Sequence, residues 1–212
     1  MRGENTQPAC RQAGTGPAKI NSMRTFIAID LPKEIKDSLA SLKEQLMASG
    51  ADVKWVQPQN IHLTLKFLGE VDEKKLEKII TILEEVAKNK NSFSLSISSL
   101  GAFPKLDYPR VIWLGIDEGD KESKEIAKEL EEKIAKIGIP KEDRPFSSHI
   151  TIGRTKSTLN REKLVQNLKT LADNFGKRNL ACRVTRIILF KSTLTPKGPI
   201  YEALKETSLK KV

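Results

Sequence analysis

The chain contains few histidine, cysteine and aromatic residues. Its 212 residues include 2 histidines, 2 cysteines and 5% aromatic residues. Cys10 and Cys182 are too few and too far apart to build a disulfide framework or a thiolate zinc site. No apolar run approaches the length of a membrane span, and no segment resembles a secretory signal. We therefore predict a cytoplasmic protein that is not associated with a membrane.

Positive charge, by contrast, is abundant. There are 37 Lys and Arg residues against 27 Asp and Glu, and the formal net charge is +10. A basic surface favours polyanionic partners, with nucleic acid ahead of anionic membrane. A lysine- and glutamate-rich surface without a particular partner is the alternative that charge alone leaves open.

The first segment of the chain is predicted to lie outside the folded domain. Residues 1–22 carry Gly, Pro, Gln and Asn with almost no aliphatic side chains, which indicates a disordered extension. A single domain, residues 23–212, is predicted to begin with the strand-forming sequence RTFIAIDL.

Both histidines occur in the same short motif. His62-Leu63-Thr64-Leu65 returns as His149-Ile150-Thr151-Ile152. Polar and aliphatic residues alternate with the period of a half-buried strand, so each His and Thr share one face while the aliphatic residues enter the core. By the same alternation, Lys66 is predicted to lie on the face of His62 and to supply a cation there.

The two motifs mark an internal duplication. The second histidine follows the first by 87 residues, and each half, 23–108 and 109–212, reads strand, helix, His strand, helix, strand. We therefore predict an α+β fold with two lobes of antiparallel sheet related by a pseudo-twofold axis. Helices lie outside, the chain is free to cross between lobes, and both His strands line a central cleft. Further residues that match at this offset are Phe26 and Trp113, Asp30 and Asp117, and Phe103 and Phe190.

Two local predictions concern the second half. Asn160 is predicted to be the N-cap residue of the following helix. Residues 181–190 are predicted to form one strand, and residues 200–206 the next.

Two histidines on opposite sides of a cleft suit concerted acid–base catalysis. A neutral imidazole accepts a proton from the nucleophile while an imidazolium donates one to the leaving group. The hydroxyls of Thr64 and Thr151 can stabilise the oxygens of an anionic phosphodiester. Two imidazoles without nearby acidic or thiolate ligands are a poor metal site, so no metal is predicted. For either motif alone, a structural polar pair would be the simpler interpretation.

Three further candidates have an open interpretation. Arg154 reaches the phosphate only if Gly153 makes a bulge, and is otherwise a surface or lobe-bridging arginine. Phe103 and Phe190 either stack on a nucleobase or belong to the core.

Several longer segments carry a family resemblance. They are HLTL with HITI, RTFIAIDLP, VKWVQPQNIHLTLKFLGEV, GAFPKLDYPRVIWLG, RPFSSHITIGR and STLTPKGPIYEAL. Together they resemble the 2H phosphoesterase superfamily, and more closely its LigT-type branch of RNA 2′,3′-cyclic phosphodiesterases, also called 2′-5′ RNA ligases. The resemblance extends from Met23 to about Lys205.

The resemblance implies hydrolysis of RNA 2′,3′-cyclic phosphate ends to 2′-phosphomonoesters without metal, ATP or another cofactor. It implies that His62 is the proton donor to the 3′-oxygen, that His149 is the proton acceptor, and that Thr64 and Thr151 hold the phosphate. RNA with cyclic or 2′-5′ linked ends, including tRNA fragments, is the expected partner of a monomeric enzyme. The alternatives are the reverse 2′-5′ ligation in the same site and a non-catalytic module that binds RNA ends.

Overall fold

A computed structural model describes residues 22–178, 180–196 and 198–211. The predicted extension 1–22 lies outside these residues, apart from Ser22. Within the described residues, no helix is long and apolar enough to cross a membrane. The elements in chain order are β1 (Met23–Asp30), α1 (Lys33–Met47), β2 (Val53–Trp55), a 3-10 helix (Pro58–Asn60), β3 (His62–Val71), α2 (Glu73–Lys88), β4 (Phe93–Lys105), β5 (Tyr108–Ile116), α3 (Asp120–Ala135), β6 (His149–Thr155), α4 (Arg161–Phe175), β7 (Leu180–Val184), β8 (Arg186–Thr195) and β9 (Gly198–Ser208).

The strands form two antiparallel sheets. The first sheet has the order β3-β1-β8-β9, and the second has the order β2-β6-β5-β4-β7. The first sheet therefore combines β1 and β3 from one repeat with β8 and β9 from the other, and β2 and β4 of the first repeat lie in the second sheet. This arrangement confirms the predicted two-lobed α+β fold. The chain passes from one sheet to the other more than once.

Each sheet has an aliphatic face that packs into the core. On β1 and β3 the fully buried residues of this face include Ile27, Ile29 and Leu63, which alternate with residues of the opposite face. The helices complete the core with stripes of apolar residues at helical spacing. The buried stripe of α2 is Ile79, Leu83, Val86 and Ala87, and that of α1 is Ile35, Leu39, Leu42 and Leu46.

The predicted single strand 181–190 is wrong, because the structure has two strands there. β7 pairs with β4 in the second sheet, whereas β8 pairs with β1 in the first. Thr185 separates them, and its carbonyl accepts a hydrogen bond from Leu209 N at 2.8 Å. A continuous strand-like sequence pattern indicates an extended backbone, but it does not indicate where the chain changes its partner strand.

Asn160 is the N-cap residue of α4, as predicted, but its side chain does not cap the helix. Asn160 has a left-handed backbone conformation with φ 50° and makes no side-chain cap to α4. Its amide Nδ2 instead donates to the carbonyl of Gly50, at 3.0 Å. The side chain thus joins the start of α4 to the turn after α1, a contact that local sequence does not indicate.

Candidate active site

The two His strands lie where the two sheets meet. β3 is an edge strand of the first sheet, and β6 is the strand next to β2 in the second. Residues 56–61 lead from β2 directly to His62, and Val56 N donates to Ile152 O of β6 at 2.9 Å. This short connection keeps the start of β3 beside β6, so the two motifs line the junction between the lobes.

The backbone holds both imidazoles in the same way. His62 Nδ1 is 2.8 Å from Asn60 O, and His149 Nδ1 is 2.8 Å from Ser147 O. A carbonyl oxygen can only accept, so in a neutral ring Nδ1 carries the proton and Nε2 keeps the free lone pair. His62 Nε2 lies 3.0 Å from Thr64 Oγ1, which donates to it when the ring is neutral.

Burial lowers the pKa of both histidines. The pKa of His62 falls from its ordinary value to about 4, mainly because burial disfavours the charged ring, and the hydrogen bond to Asn60 O opposes this. The pKa of His149 is lowered for the same main reason. In the free protein at neutral pH, both rings are therefore neutral, with Nε2 available to accept a proton.

Different fixed charges act on the two rings. The carboxylate of Asp30 favours protonation of His62, and the ammonium of Lys36 opposes it. These two groups form an ion pair at 2.6 Å, and Asp30 is the cross-strand neighbour of His62. At His149 the fixed charge that acts is Arg154, which disfavours protonation. Among the described residues, a carboxylate that favours the imidazolium acts on His62 but not on His149.

Aromatic rings surround both imidazoles. Phe26 stacks on His62 with ring centroids 4.8 Å apart, and Tyr201 meets it edge-on at 5.4 Å. Phe190 stacks on Phe26 at 5.3 Å and lies 6.4 Å from His62. Phe103 meets the ring of His149 edge-on at 5.4 Å. Each of the two candidate phenylalanines therefore lies beside one of the histidines. Stacking of either residue on a nucleobase stays a prediction.

A β-bulge interrupts both His strands at the same place. On β3, Thr64 pairs with Ala28 and Lys66 with Ile27, which leaves Leu65 as the extra residue. On β6, Thr151 pairs with Trp113 and Gly153 with Ile112, so Ile152 is the extra residue. A bulge shifts every following side chain to the other face of the strand. The two bulges are equivalent under the repeat offset.

The bulge removes Lys66 from the face on which it was predicted. Lys66 is only 2% exposed, pairs with Glu131 of α3 at 2.8 Å and donates to Pro140 O at 2.9 Å. The predicted placement beside His62 is therefore wrong, because strict alternation does not hold beyond Leu65. Lys66 joins β3 to α3 on the core side.

The same bulge has the opposite consequence in β6. Arg154 is exposed, and the shift after Ile152 places it on the face of His149 and Thr151. Its charge lowers the pKa of His149, and it also opposes the rise that burial causes in the pKa of Tyr201 in the first sheet. Arg154 thus lies near both sides of the cleft, and the bulge on which its predicted role depended is present.

Gly153 is required by a close approach of β2. A Cβ atom at this position would lie 2.8 Å from the ring of Trp55 and 2.9 Å from the side chain of Val53. The equivalent position in the first motif is Lys66, whose side chain has space to extend towards α3. The repeat therefore keeps the bulge but not the residue at this position.

Three residues of the site were not singled out from the sequence as functional. Phe26 and Asp30 were noted only as repeat matches, although their place in a strand next to the His strand would have indicated proximity. Tyr201 gave no signal, because β9 reaches His62 only through the pairing of β8 with β1 and β9. Across the part of the chain that the structure describes, no three His, Cys, Asp or Glu side chains are grouped so as to hold a metal ion.

The LigT like Phosphoesterase family model matches this chain twice, over residues 29–113 and 114–201. The chain belongs to the LigT-like phosphoesterase family. The predicted family is thereby confirmed, and the two matches follow one another along the chain as the two repeats do.

Relatives of this LigT-like phosphoesterase cover most of the chain. It is 41% identical over 185 residues to the RNA 2′,3′-cyclic phosphodiesterase of Methanocaldococcus jannaschii, covering 87% of this chain and 99% of that protein. It is 40% identical to the RNA 2′,3′-cyclic phosphodiesterase of Thermotoga maritima, covering 87% and 94%. The crystal structure of Escherichia coli LigT with 3′-AMP superposes with a TM-score of 0.74 at 26% identity, covering 89% and 99%.

Proposed function

We propose that this enzyme hydrolyses the 2′,3′-cyclic phosphate at RNA ends to a 2′-phosphomonoester, without metal or ATP. The observation that carries the proposal is the pair of neutral imidazoles, each held by a backbone carbonyl at Nδ1 and each two residues before a threonine on the same strand face. The names of the relatives from M. jannaschii and T. maritima support the substrate. The net charge of +10 suits an RNA.

The reaction requires one proton acceptor and one proton donor. Nε2 of His149 takes a proton from water as the water oxygen forms a bond to phosphorus. The bond between phosphorus and the 3′-oxygen breaks, and the imidazolium of His62 gives its proton to that oxygen. Thr64, Thr151 and Arg154 stabilise the negative charge on the non-bridging oxygens. The products are a 3′-hydroxyl and a 2′-phosphomonoester.

The fixed charges support this division of roles. Asp30 stabilises the protonated form of His62, which a proton donor needs, whereas Arg154 stabilises the neutral form of His149, which a base needs. Burial keeps both rings neutral in the free enzyme. A bound anionic phosphodiester stabilises a nearby imidazolium, and so we propose that substrate binding brings the required proton to His62.

The natural RNA and the assembly state extend the proposal. We propose tRNA fragments with cyclic ends as substrates and a monomeric enzyme in the cytoplasm. Large exposed apolar side chains are distributed over several elements, in agreement with a monomer. They are Met47, Phe67, Tyr108, Leu159, Leu194 and Ile200. Size-exclusion chromatography with light scattering tests the assembly state.

The reaction can be tested by mass spectrometry of a short oligoribonucleotide that ends in a 2′,3′-cyclic phosphate. Incubation with enzyme and EDTA is expected to add the mass of one water, with the phosphate on the 2′ position. His149→Gln is the matched inactive control. Unchanged substrate with folded enzyme would exclude the proposed reaction and favour a module that only binds RNA ends. Activity that EDTA abolishes would contradict metal independence.

A further inference from the structure

An exposed tyrosine lies beside two arginines at one end of the second sheet. Tyr108 begins β5, next to the turn from β4, and is 38% exposed. The guanidinium carbon of Arg161 is 4.2 Å from the centroid of its ring, and that of Arg110 is 5.5 Å away. The two arginines lower the pKa of the Tyr108 phenol, chiefly through a hydrogen bond from Arg110. We call these three residues the Tyr108 cluster.

The positive charge of the Tyr108 cluster is not neutralised from within the described chain. Neither Arg110 nor Arg161 forms an ion pair with another described residue. The neighbouring carboxylate of Asp107 is bound to Lys169 at 2.6 Å. Two guanidinium groups beside one ring repel each other, and an anion bound to both would relieve that repulsion. A guanidinium has five N–H donors, so an arginine that contacts Tyr108 still has donors for a phosphate.

The Tyr108 cluster lies farther along β5 from the position that pairs with Arg154. Arg154, which lies near both sides of the cleft, is the cross-strand neighbour of Lys54 on β2 and of Val111 on β5. The next residue, Thr155, donates through its hydroxyl to Pro109 O at 2.7 Å, which joins the end of β6 to the residue after Tyr108. Tyr108 lies three residues beyond Val111, but Arg110 is an extra residue in the pairing with β4, so the two positions are about 7 Å apart along the sheet.

We propose that the Tyr108 cluster binds phosphates of the RNA strand a few nucleotides upstream of the terminal nucleotide. The inference rests on the proposed function, since it takes the cyclic end to be held at the histidines. Single-stranded RNA fits the cluster because its phosphates repeat along the chain and its bases can stack on an exposed aromatic ring. A mononucleotide held at the histidines has no upstream phosphate with which to reach the cluster.

The comparison of two substrates isolates this contact. The double variant Arg110→Gln/Arg161→Gln removes both charges, and Lys128→Gln/Lys136→Gln, two exposed lysines at α3, is the control of equal charge. With a cyclic-ended oligoribonucleotide of about eight nucleotides, the arginine variant is expected to raise KM about tenfold. The slope of log(kcat/KM) against log salt concentration should decrease in magnitude by about 1.4, because two phosphate contacts are lost. Hydrolysis of 2′,3′-cyclic AMP should be unchanged.

Either of two results would overturn the proposal. One is an oligonucleotide KM that matches the lysine control, and the other is an equal loss with 2′,3′-cyclic AMP, which would assign the arginines to the fold or to the site itself. A second pair of variants tests the ring. Tyr108→Phe should keep the affinity for the oligonucleotide because the ring still positions the arginines, whereas Tyr108→Ala should lose it.

A binding measurement separates this inference from the proposed function. Fluorescence anisotropy with an oligoribonucleotide that already ends in a 2′-phosphate needs no turnover. If the enzyme hydrolyses neither substrate, the proposed function fails. The anisotropy still decides about the Tyr108 cluster, because weaker binding by the arginine variant than by the lysine control supports it and equal binding overturns it.

Discussion

The two His-x-Thr sites share a backbone arrangement but differ in their surroundings. Each has a histidine at the start of a strand, a hydrogen bond from Nδ1 to a backbone carbonyl and a bulge after the threonine. His62 packs against both Phe26 and Tyr201 and lies near the Asp30–Lys36 ion pair. His149 has Phe103 beside it and the exposed Arg154 on the same face.

This difference is the basis for the two roles that we propose for the duplicated site. The backbone sets the tautomer of both rings and exposes Nε2, which either an acid or a base requires. The neighbouring charges then differ, with the Asp30–Lys36 ion pair near one ring and the guanidinium of Arg154 near the other. The electrostatic difference lies outside the tetrapeptides, which are nearly the same in both halves.

The largest expected effect is the loss of either histidine. His62→Gln and His149→Gln should each lower kcat by about 10²- to 10⁴-fold, because each removes a proton transfer. The two roles can be separated with a substrate whose 3′-bridging oxygen is replaced by sulfur, since a thiolate leaves without protonation. This substrate should restore turnover to His62→Gln but not to His149→Gln, as measured by product release. Equal rescue of both variants would remove the distinction between the sites.

The next effect concerns stability against pH. The pKa of His62 is about 4 in the folded state, below its ordinary value of 6.5, so the unfolded chain binds more protons between these values. The contribution of His62 to the free energy of unfolding is therefore fully present above about pH 6.5. It is lost as the pH drops towards 4, which lowers the free energy of unfolding by about 2–3 kcal/mol. Urea unfolding of His62→Gln should show a correspondingly weaker loss. If the free energy of unfolding had the same pH dependence in wild type and variant, His62 would not be responsible for the loss of stability.

The threonines give a smaller change that tests whether the two sites hold the phosphate equally. Thr64→Val and Thr151→Val should each lower kcat/KM by about 10²-fold, because each removes a hydrogen-bond donor to charged oxygens. Thr→Ser at the same positions should retain most of the activity, since the hydroxyl remains. Steady-state kinetics would contradict this role if Val and Ser variants were equally active.

The smallest effect addresses the charge difference between the sites. Asp30→Asn should lower the pKa of His62 further, whereas Lys36→Met should raise it. Asp117→Asn, the repeat equivalent of Asp30, is the control that should alter neither histidine. NMR titration resolves this because the chain has only 2 histidines. Asp30→Asn should also reduce kcat by about fivefold or less. Shifts in the same direction for Asp30→Asn and Lys36→Met would indicate a structural role of the ion pair.

The sequence was informative wherever a local period or a repeat decides the structure. Alternation correctly placed the aliphatic residues of both motifs in the core, and the repeat offset indicated two equivalent strands. It failed at Lys66, because a bulge depends on the pairing partner and leaves no mark in the alternation of a short strand. The same limit applies to residues 181–190, where the chain changes from one sheet to the other within an apparently continuous strand.

The chemistry of the site was therefore determined by the sequence itself: the only two histidines, each two residues before a threonine, on a strand face. Their inequality was decided by tertiary structure. Tyr201 and Asp30 reach His62 through strand pairing, and Arg154 reaches the cleft through a bulge. Burial, neighbouring charge and strand register arise from contacts between residues that are distant in the chain. These three factors set the pKa of each imidazole, whereas the local sequence determines only the position of the histidine on its strand.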